Sequence, residues 1–500
     1  MAFTESEEAI IKQLIEAFQN GKRLSDLPNV NGTNPYDLYV EVLDTDGESK
    51  KAALATLLPY LEEQCAYGVE YDTTISSPIC TRVGNLALHK TLPIQNKMRG
   101  CLLDDDGKVV RYLNPKDWTT AHRDGSEGQV MVEVPMHYRR FITDGTKIRT
   151  MISEYPLPGY HVVPLHYDSA YEATVQRSTK KLSSVATTAE DYRGGNNNAA
   201  LDGTASSQLG MPATQLSRTN YRTYARNRKP GSSEWNCWTY DSHKTLYWLF
   251  VIEYATLNSQ AEFNAEPTAE GYKQGGLGAG VTNVNGTKWA AFNSYYPVVP
   301  CGVTDSLGNG TGVVQFNMTE EYDENILTTN VPRYHGIENP FGHLHKWTDG
   351  VNVKISANEE NGGTGLSEIY VCHEPELFTD SSYDGYHHVG NLGRTEGYTK
   401  NIVFGEEGDI LPKESGGGST SYFCDSHWTK IPDSGDVLRG LLFGGSAHAG
   451  ASAGLASAYS NHVPSNTAAY FGSRLCFYPD NRQVSRSPSS FGSEIYRTFE

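Results

Sequence analysis

The chain is poor in the features that most quickly assign a function. Nowhere in its 500 residues do apolar side chains run for the roughly 18 to 20 positions that a bilayer-spanning helix needs; the best stretch, Leu246 to Ile252, stops at Glu253. Basic charge is also short: 41 Lys and Arg stand against 59 Asp and Glu, a formal net charge of −18 at pH 7. Such a surface repels phosphate backbones and anionic lipid, which argues against nucleic acid as a partner and against membrane insertion. The one basic cluster, Arg222, Arg226, Arg228 and Lys229, reads as a solvated local face. Met1 to Glu8 lacks the basic and apolar pattern of a secretory leader. Eight cysteines, each 15 or more residues from the next, form no Cys-x-x-Cys pair, which excludes a disulfide scaffold and a cysteine zinc site. They are expected to be reduced and mostly buried.

What is present is glycine (49), tyrosine (31) and turn chemistry. At about 150 residues per domain the length allows two to four domains. The start carries a helix signature: Thr4 and Glu7 at capping-box spacing, Ile10, Ile11, Leu14, Ile15 and Phe18 on one face, then Gly21. A second helical stretch is expected from Glu48 to Glu63, striped by Leu54, Leu57, Leu58 and Leu61, with Pro59 at a kink or end. Two such helices cannot enclose a core, so they either dock on the rest of the chain or form an oligomerisation or docking module. From Gly68 the texture turns to short apolar runs between Gly, Asp, Asn and Pro. Cys101 to Leu103 and Val109 to Leu113 flank a hairpin turn at Asp104 to Gly107, and Val130 to Val134 with His137 to Phe141 read as a strand pair. Asp241 to Gln260 is a helix apolar almost all round, the mark of burial under sheet and loops. Ser183 to Ser217 and Ala261 to Gly286 read as long loop insertions. The Asn-x-Thr triplets at Asn31, Asn285, Asn309 and Asn317 resemble glycosylation acceptors, but the first three are Asn-Gly, which is turn chemistry.

Catalytic constellations are weak. Gly276, Gly278 and Gly280 lack the strand, helix and Lys-Ser/Thr of a phosphate loop. His343 and His345 alternate as on one strand face, and His387 with His388 follows some forty residues on; without a carboxylate at diagnostic spacing, hydrogen-bonded or surface histidines are the plainer reading. No nucleophile elbow or acid/base carboxylate pair stands out, so no catalytic residue, metal or cofactor is assigned.

The strongest anomaly is a gap in charge. From Gly440 to Ser473, 34 residues contain no Asp, Glu, Lys or Arg, where a chain 20% charged would supply about seven, and twenty are Ala, Gly or Ser. Interspersed Tyr, Asn and His suit an adaptable contact surface; a flexible loop or a packed core turn gives the same composition.

Both ends of this window carry motifs. Arg439, Gly440, Phe443, Gly444 and Gly445, with Gly472, Ser473, Arg474, Leu475, Cys476 and Phe477, resemble the closing motif of C-type-lectin-fold proteins related to the formylglycine-generating enzyme family. Gly336, Ile337, Glu338, Asn339, Pro340, Phe341 and Gly342, then Trp347 to Gly350, resemble its core strand and turn; Ile252 to Ala255 resemble its helix and Met131 to Pro135 its opening strand. The same order is similar to variable proteins of diversity-generating retroelements and to adhesins of tailed phages of gut Bacteroidales, with Val83 to Asn85, Leu92 to Gln95 and Arg99 to Cys101 similar to what precedes the lectin-like part there. The window also lacks Lys, Glu, Gln, Met and Trp, residues that adenine-to-pyrimidine diversification removes. The copper-binding cysteine pair of the enzymes has no counterpart, since Cys424 and Cys476 stand some fifty residues apart.

The resemblance implies an α+β protein: a helical oligomerisation or virion-docking module at 1–67, a β-rich connector at 68–127, a C-type-lectin-like domain at 128–480 with a buried helix and long insertions, and a tail at 481–500. It implies a non-enzymatic virion surface protein, made in the bacterial host cytoplasm, that contacts other virion proteins and binds a host cell-surface receptor, a glycan or a surface protein, as a homotrimer or dimer. His448, Tyr459, Asn461, His462, Asn466 and Tyr470 are the expected contact residues, and Glu338, Asn339, Phe341, Trp347, Arg439, Gly444, Gly445, Gly472 and Arg474 the structural motif. A structural decoration protein is one alternative. A glycan-modifying enzyme built on His343, His345, His387 and His388 is the other.

Overall fold

The structure is a computed structural model that describes residues 39–43, 49–53, 58–318 and 328–479, with side chains from Leu61 onward. The helix expected at Thr4 to Phe18 and the tail at 481–500 lie outside the described residues. The second expected helix divides. Ser49–Ala53 pairs antiparallel with Tyr39–Leu43, and helix begins at Leu58–Cys65 (α1). Val40 and Val42 favour a strand, whose pairing overrides the helical tendency of Lys50 to Ala53. Pro59 sits in the first turn of α1, where its missing N–H costs nothing, and so starts the helix instead of ending it.

Beyond α1 the protein is mixed and strand-rich. One antiparallel sheet runs in the order His161–Val163, His137–Asp144, Lys147–Ser153, Ala66–Asp72, Thr81–Gly84. A second runs Trp235–Cys237, Leu475–Phe477, His166–Ser169, Gln129–Val134, Arg99–Leu103, Val109–Tyr112. The hairpin forms as read: Asp104 Oδ1 accepts from the N–H groups of Asp106 (3.0 Å) and Lys108 (2.8 Å), and Gly107 adopts φ +82°. A Cβ on Gly107 would also meet the Phe477 ring at 1.9 Å. The expected pairing of Gln129–Val134 with His137–Asp144 does not occur; they belong to different sheets. Every residue of Gln129–Val134 is buried, so it needs a partner strand on each side, and Arg99–Leu103 and His166–Ser169 supply them. The first of these pairings crosses the boundary expected at 127/128, and one hydrophobic core joins Tyr67 and Leu102 to Val351 and Leu441.

Three helices follow. Arg218–Arg226 (α2) is capped by Ser217, whose hydroxyl accepts from Asn220 N. Tyr240–Tyr254 (α3) is capped by Thr239 and ends at Ala255 with φ +51°. As its composition predicts, α3 is buried on all sides; even Lys244 and Glu253 are enclosed, the first paired with Asp409 at 3.2 Å, the second accepting from Tyr334 Oη at 2.9 Å. Gly286–Asn293 (α4) is capped by Asn285, while Asn309 Oδ1 accepts from Gly100 N and so ties its loop to the distant strand Arg99–Leu103.

The basic cluster is not a solvated face. Arg222 is buried and forks onto Asp349 and also reaches Asp380 (2.8 Å), Arg218 one turn earlier reaches the same two carboxylates, and Arg228 is buried against Asp105. Arg218 and Arg222 pin α2 to Asp349 on the largest sheet and Arg228, just past α2, to the Asp104 to Gly107 turn, an inward role that spacing alone did not distinguish from an outward one. All eight cysteines are free, and seven are buried.

The largest sheet carries the C-terminal third. Its strands are His345–Ser356 (β1), Ser367–Val371 (β2), His387–Asn391 (β3), Gly397–Val403 (β4), Leu411–Ser415 (β5), Ser426–Thr429 (β6), Asp436–Gly444 (β7), Gly454–Ser460 (β8) and Phe471–Gly472 (β9). The order is β3-β2-β1-β7-β8-β6-β4-β5, and β9 lies parallel to β1. The uncharged window therefore supplies two central strands.

Candidate functional site

The structural motif residues assemble around buried polar groups. Arg474 is fully buried; its Nη1 donates to the carbonyls of Glu338 (2.9 Å) and Asn339 (3.2 Å), and its Nη2 to those of Ser169 (2.8 Å) and Ala170 (3.1 Å). One guanidinium thus ties the closing motif to the Gly336 to Gly342 turn and to the second sheet. The Glu338 carboxylate accepts from Gly302 N, Thr304 N and Thr304 Oγ1, at 2.7 to 2.8 Å. Burial, with Asp305 nearby, raises its pKa to about 7. Asn339 holds φ +46°, and Phe341 and Trp347 are fully buried. Gly444 and Gly445 both take positive φ at the end of β7, and Gly472 lies in β9. Arg439 stands apart, half-buried in β7 with no partner among the described residues.

The histidines raised as an enzyme site do not converge. His343 lies before β1 with φ +56°, so it does not alternate with His345 on a strand. Its Nε2 accepts from the N–H groups of Val298 (3.2 Å) and Val299 (3.3 Å), which leaves Nδ1–H to donate to Glu172 at 2.5 Å. Lys346 Nζ pairs with the other Glu172 oxygen at 2.9 Å. Burial opposes the Glu172 charge, yet Lys346 and His343 outweigh it and hold the pKa down at about 2. Both nitrogens of His343 are spent on structure. His387 and His388 sit on β3, at the outer edge of the sheet. Among the described residues no group of three or more His, Cys, Asp and Glu is placed to hold a metal ion, and no helix is long and apolar enough to cross a membrane.

The window itself corrects the sequence reading. Of its 34 residues 19 are buried, in β7, in β8 and around β9, so most of the missing charge is missing because these positions are core. What reaches the surface is 448–452 and 459–470. His448 and Asn466 are exposed; Tyr459, Asn461, His462 and Tyr470 are half-buried.

Those positions join a continuous belt of rings. Tyr459 lies between His345 (centroids 5.0 Å apart, 30° between planes) and His462 (5.1 Å, 27°), so two near-parallel rings flank it. Trp428, the cross-strand partner of Tyr459 on β6, meets it edge-on at 5.4 Å. His345 leads on to Tyr470 (6.0 Å), and Tyr470 to Tyr295 (6.1 Å), His448 (6.1 Å) and the buried Trp289 (6.3 Å). His462 Nδ1 is 3.2 Å from Asn466 Oδ1, which also accepts from Val463 N and so fixes the 462–466 turn. Burial lowers the pKa of His345 to about 3 and lowers those of His448 and His462, so the belt histidines are neutral at pH 7. Sequence reasoning missed His345, Trp428 and Tyr295 as members. Only the strand register and the α4 loop bring them beside the window, and no spacing within the chain signals that.

No family model and no curated protein matches the chain. Among solved structures it is similar to the Major Tropism Determinant U1 Variant, at 14% identity over 88% of this chain and 91% of that one, with a TM-score of 0.21, too low to assign a fold.

Proposed function

We propose that the protein is a receptor-binding protein on the surface of a tailed phage, a C-type-lectin-like adhesin that presents the belt from Trp428 to His448 to the host cell. The observation that supports this reading is the pairing of opposites within one window. Strands β7 and β8 are locked into a buried sheet, while His448 in the loop between them, Tyr459 near the end of β8 and the Asn, His and Tyr residues of 461–470 after it are partly exposed. A rigid scaffold with substitution-tolerant polar and aromatic residues at its surface is built for recognition rather than chemistry. Single-site binding to a cell surface is typically weak, so a homotrimer or dimer clustered by other virion proteins would supply avidity. Diversification of the strip would appear in the genome as an adenine-rich template repeat beside a reverse transcriptase gene.

The test is a Tyr459→Ala/Tyr470→Ala phage. Lost adsorption with intact particles supports recognition; failed assembly overturns it in favour of a structural decoration protein. That second reading draws on exposed Val110 and Tyr112 on the outer strand Val109–Tyr112, a sheet edge that could face another subunit.

A further inference from the structure

Taking the belt as the receptor-binding surface, we infer that its ligand is an uncharged carbohydrate of the cell surface. The argument has three parts. The first is ring geometry. Neighbours meet Trp428 and Tyr470 edge-on or tilted, at 61° and 89° for Trp428 and between 54° and 86° for Tyr470. No ring of the described residues stacks parallel on either. The π-face carries negative electrostatic potential and attracts the slightly positive C–H groups on the face of a sugar ring. Tyr459, flanked by two rings, is instead a positioning residue that holds Trp428 and His345 in place.

The second part is charge. The window contributes none, and its histidines are neutral. The charged groups that influence the belt are Glu396 toward Tyr459, Lys430 and Arg439 toward His462, and Lys346 toward His345. A uronic or sialic acid polymer would call for cations along the belt, and a protein partner for a charged rim that steers docking. Among the described residues no charged side chain acts on Tyr470 or His448 in this way.

The third part is unspent hydrogen-bonding capacity. Trp235, Trp238, Trp248 and Trp289 each donate their Nε1–H inside the protein. Trp428 Nε1 and the hydroxyls of Tyr295 and Tyr470 have no such partner among the described residues, and the buried Asn461 Oδ1 and His345 Nδ1 have none either. Hydroxyl-rich ligands carry both donors and acceptors, and meet such neutral groups, directly or through water, without any charge to desolvate.

The experiment uses labelled full-length protein on gut Bacteroidales cells, untreated, oxidised with periodate to cleave sugar diols, or treated with protease, and on an array of neutral hexose and uronic acid oligosaccharides. The expected result is cell binding that falls about tenfold or more after periodate and survives protease, together with capture on neutral oligosaccharides. Binding should change less than about twofold between about 0.05 and about 0.5 M NaCl, since no ion pair is broken. Trp428→Ala and Tyr470→Ala should each weaken it about tenfold, and Trp428→Phe, which keeps a ring face but loses the Nε1–H, should weaken it less, with melting temperatures confirming folded protein. Binding that survives periodate but not protease overturns the carbohydrate assignment and leaves the receptor-binding reading standing. Salt-sensitive capture on uronic acids alone overturns the assignment of an uncharged ligand and likewise leaves the receptor-binding reading standing. Folded protein that binds no cells at all overturns the receptor-binding reading itself.

Discussion

Two regions only a few residues apart in sequence solve opposite problems. Around Arg474, Glu338, Lys346 and Glu172, polar groups are buried and nearly every one is answered by a partner from a distant part of the chain. Around Tyr470, Tyr459 and His448, rings touch one another, but several polar tips remain free. The first arrangement tolerates little change, because removing one member strands another in a low-dielectric interior. The second tolerates more, because Tyr470, Tyr459, His462 and His448 each face water on at least one side, although His345 and Trp289 beneath them are buried. Their adjacency means that a surface can vary while its support does not.

Breaking the buried side should have the largest effects. Arg474→Met removes the guanidinium donor from four carbonyls, of which Ala170 O keeps Glu338 N, and should cost about 3 kcal/mol or more, seen as loss of soluble protein or a large drop in denaturation midpoint. Lys346→Met strands the Glu172 carboxylate and should cost about 3 kcal/mol, with part recovered when Glu172→Gln is added, a coupling that a double-mutant cycle measures. Glu338 supplies a pH signature. Its pKa near 7 lies above the ordinary carboxylate value of an unfolded chain, so between about pH 4.5 and about pH 7 the folded state binds more protons than the unfolded one. This group's contribution is therefore full at low pH and lost as pH rises through 7; Glu338→Gln should flatten that part of the stability curve.

On the belt the same measurements should respond little. Tyr470→Ala removes a half-buried ring and should cost no more than about 1.5 kcal/mol of stability while weakening cell binding about tenfold. Asn466→Ala loses the contacts to His462 and Val463 N, and a change within about 0.5 kcal/mol in urea unfolding is expected.

How much of this was legible in the sequence follows from the range of the interactions. The hairpin at Asp104 to Gly107 and the buried helix α3 were readable because their causes are local: an Asp and a Gly in one turn, an apolar residue on every side of a helix. The sheet membership of Gln129–Val134 was not, because its partners are far away along the chain. The basic cluster misled because α2 faces Asp349 and Asp380, more than 120 residues on. The uncharged window is visible in the sequence, yet its composition blends core strands with surface turns, and only the burial pattern separates them. Tyr459, Tyr470, His448 and His462 do lie together, while Trp428, His345 and Tyr295 enter through register and loop placement.

The most direct test of a rigid support beneath a variable face is saturation mutagenesis of two sets of positions, Glu338, Lys346 and Arg474 against His448, Asn461 and Asn466, read by the yield of folded protein. The account predicts that nearly every substitution in the first set lowers the yield and nearly every one in the second leaves it at the parent level. Equal sensitivity in the two sets would contradict it.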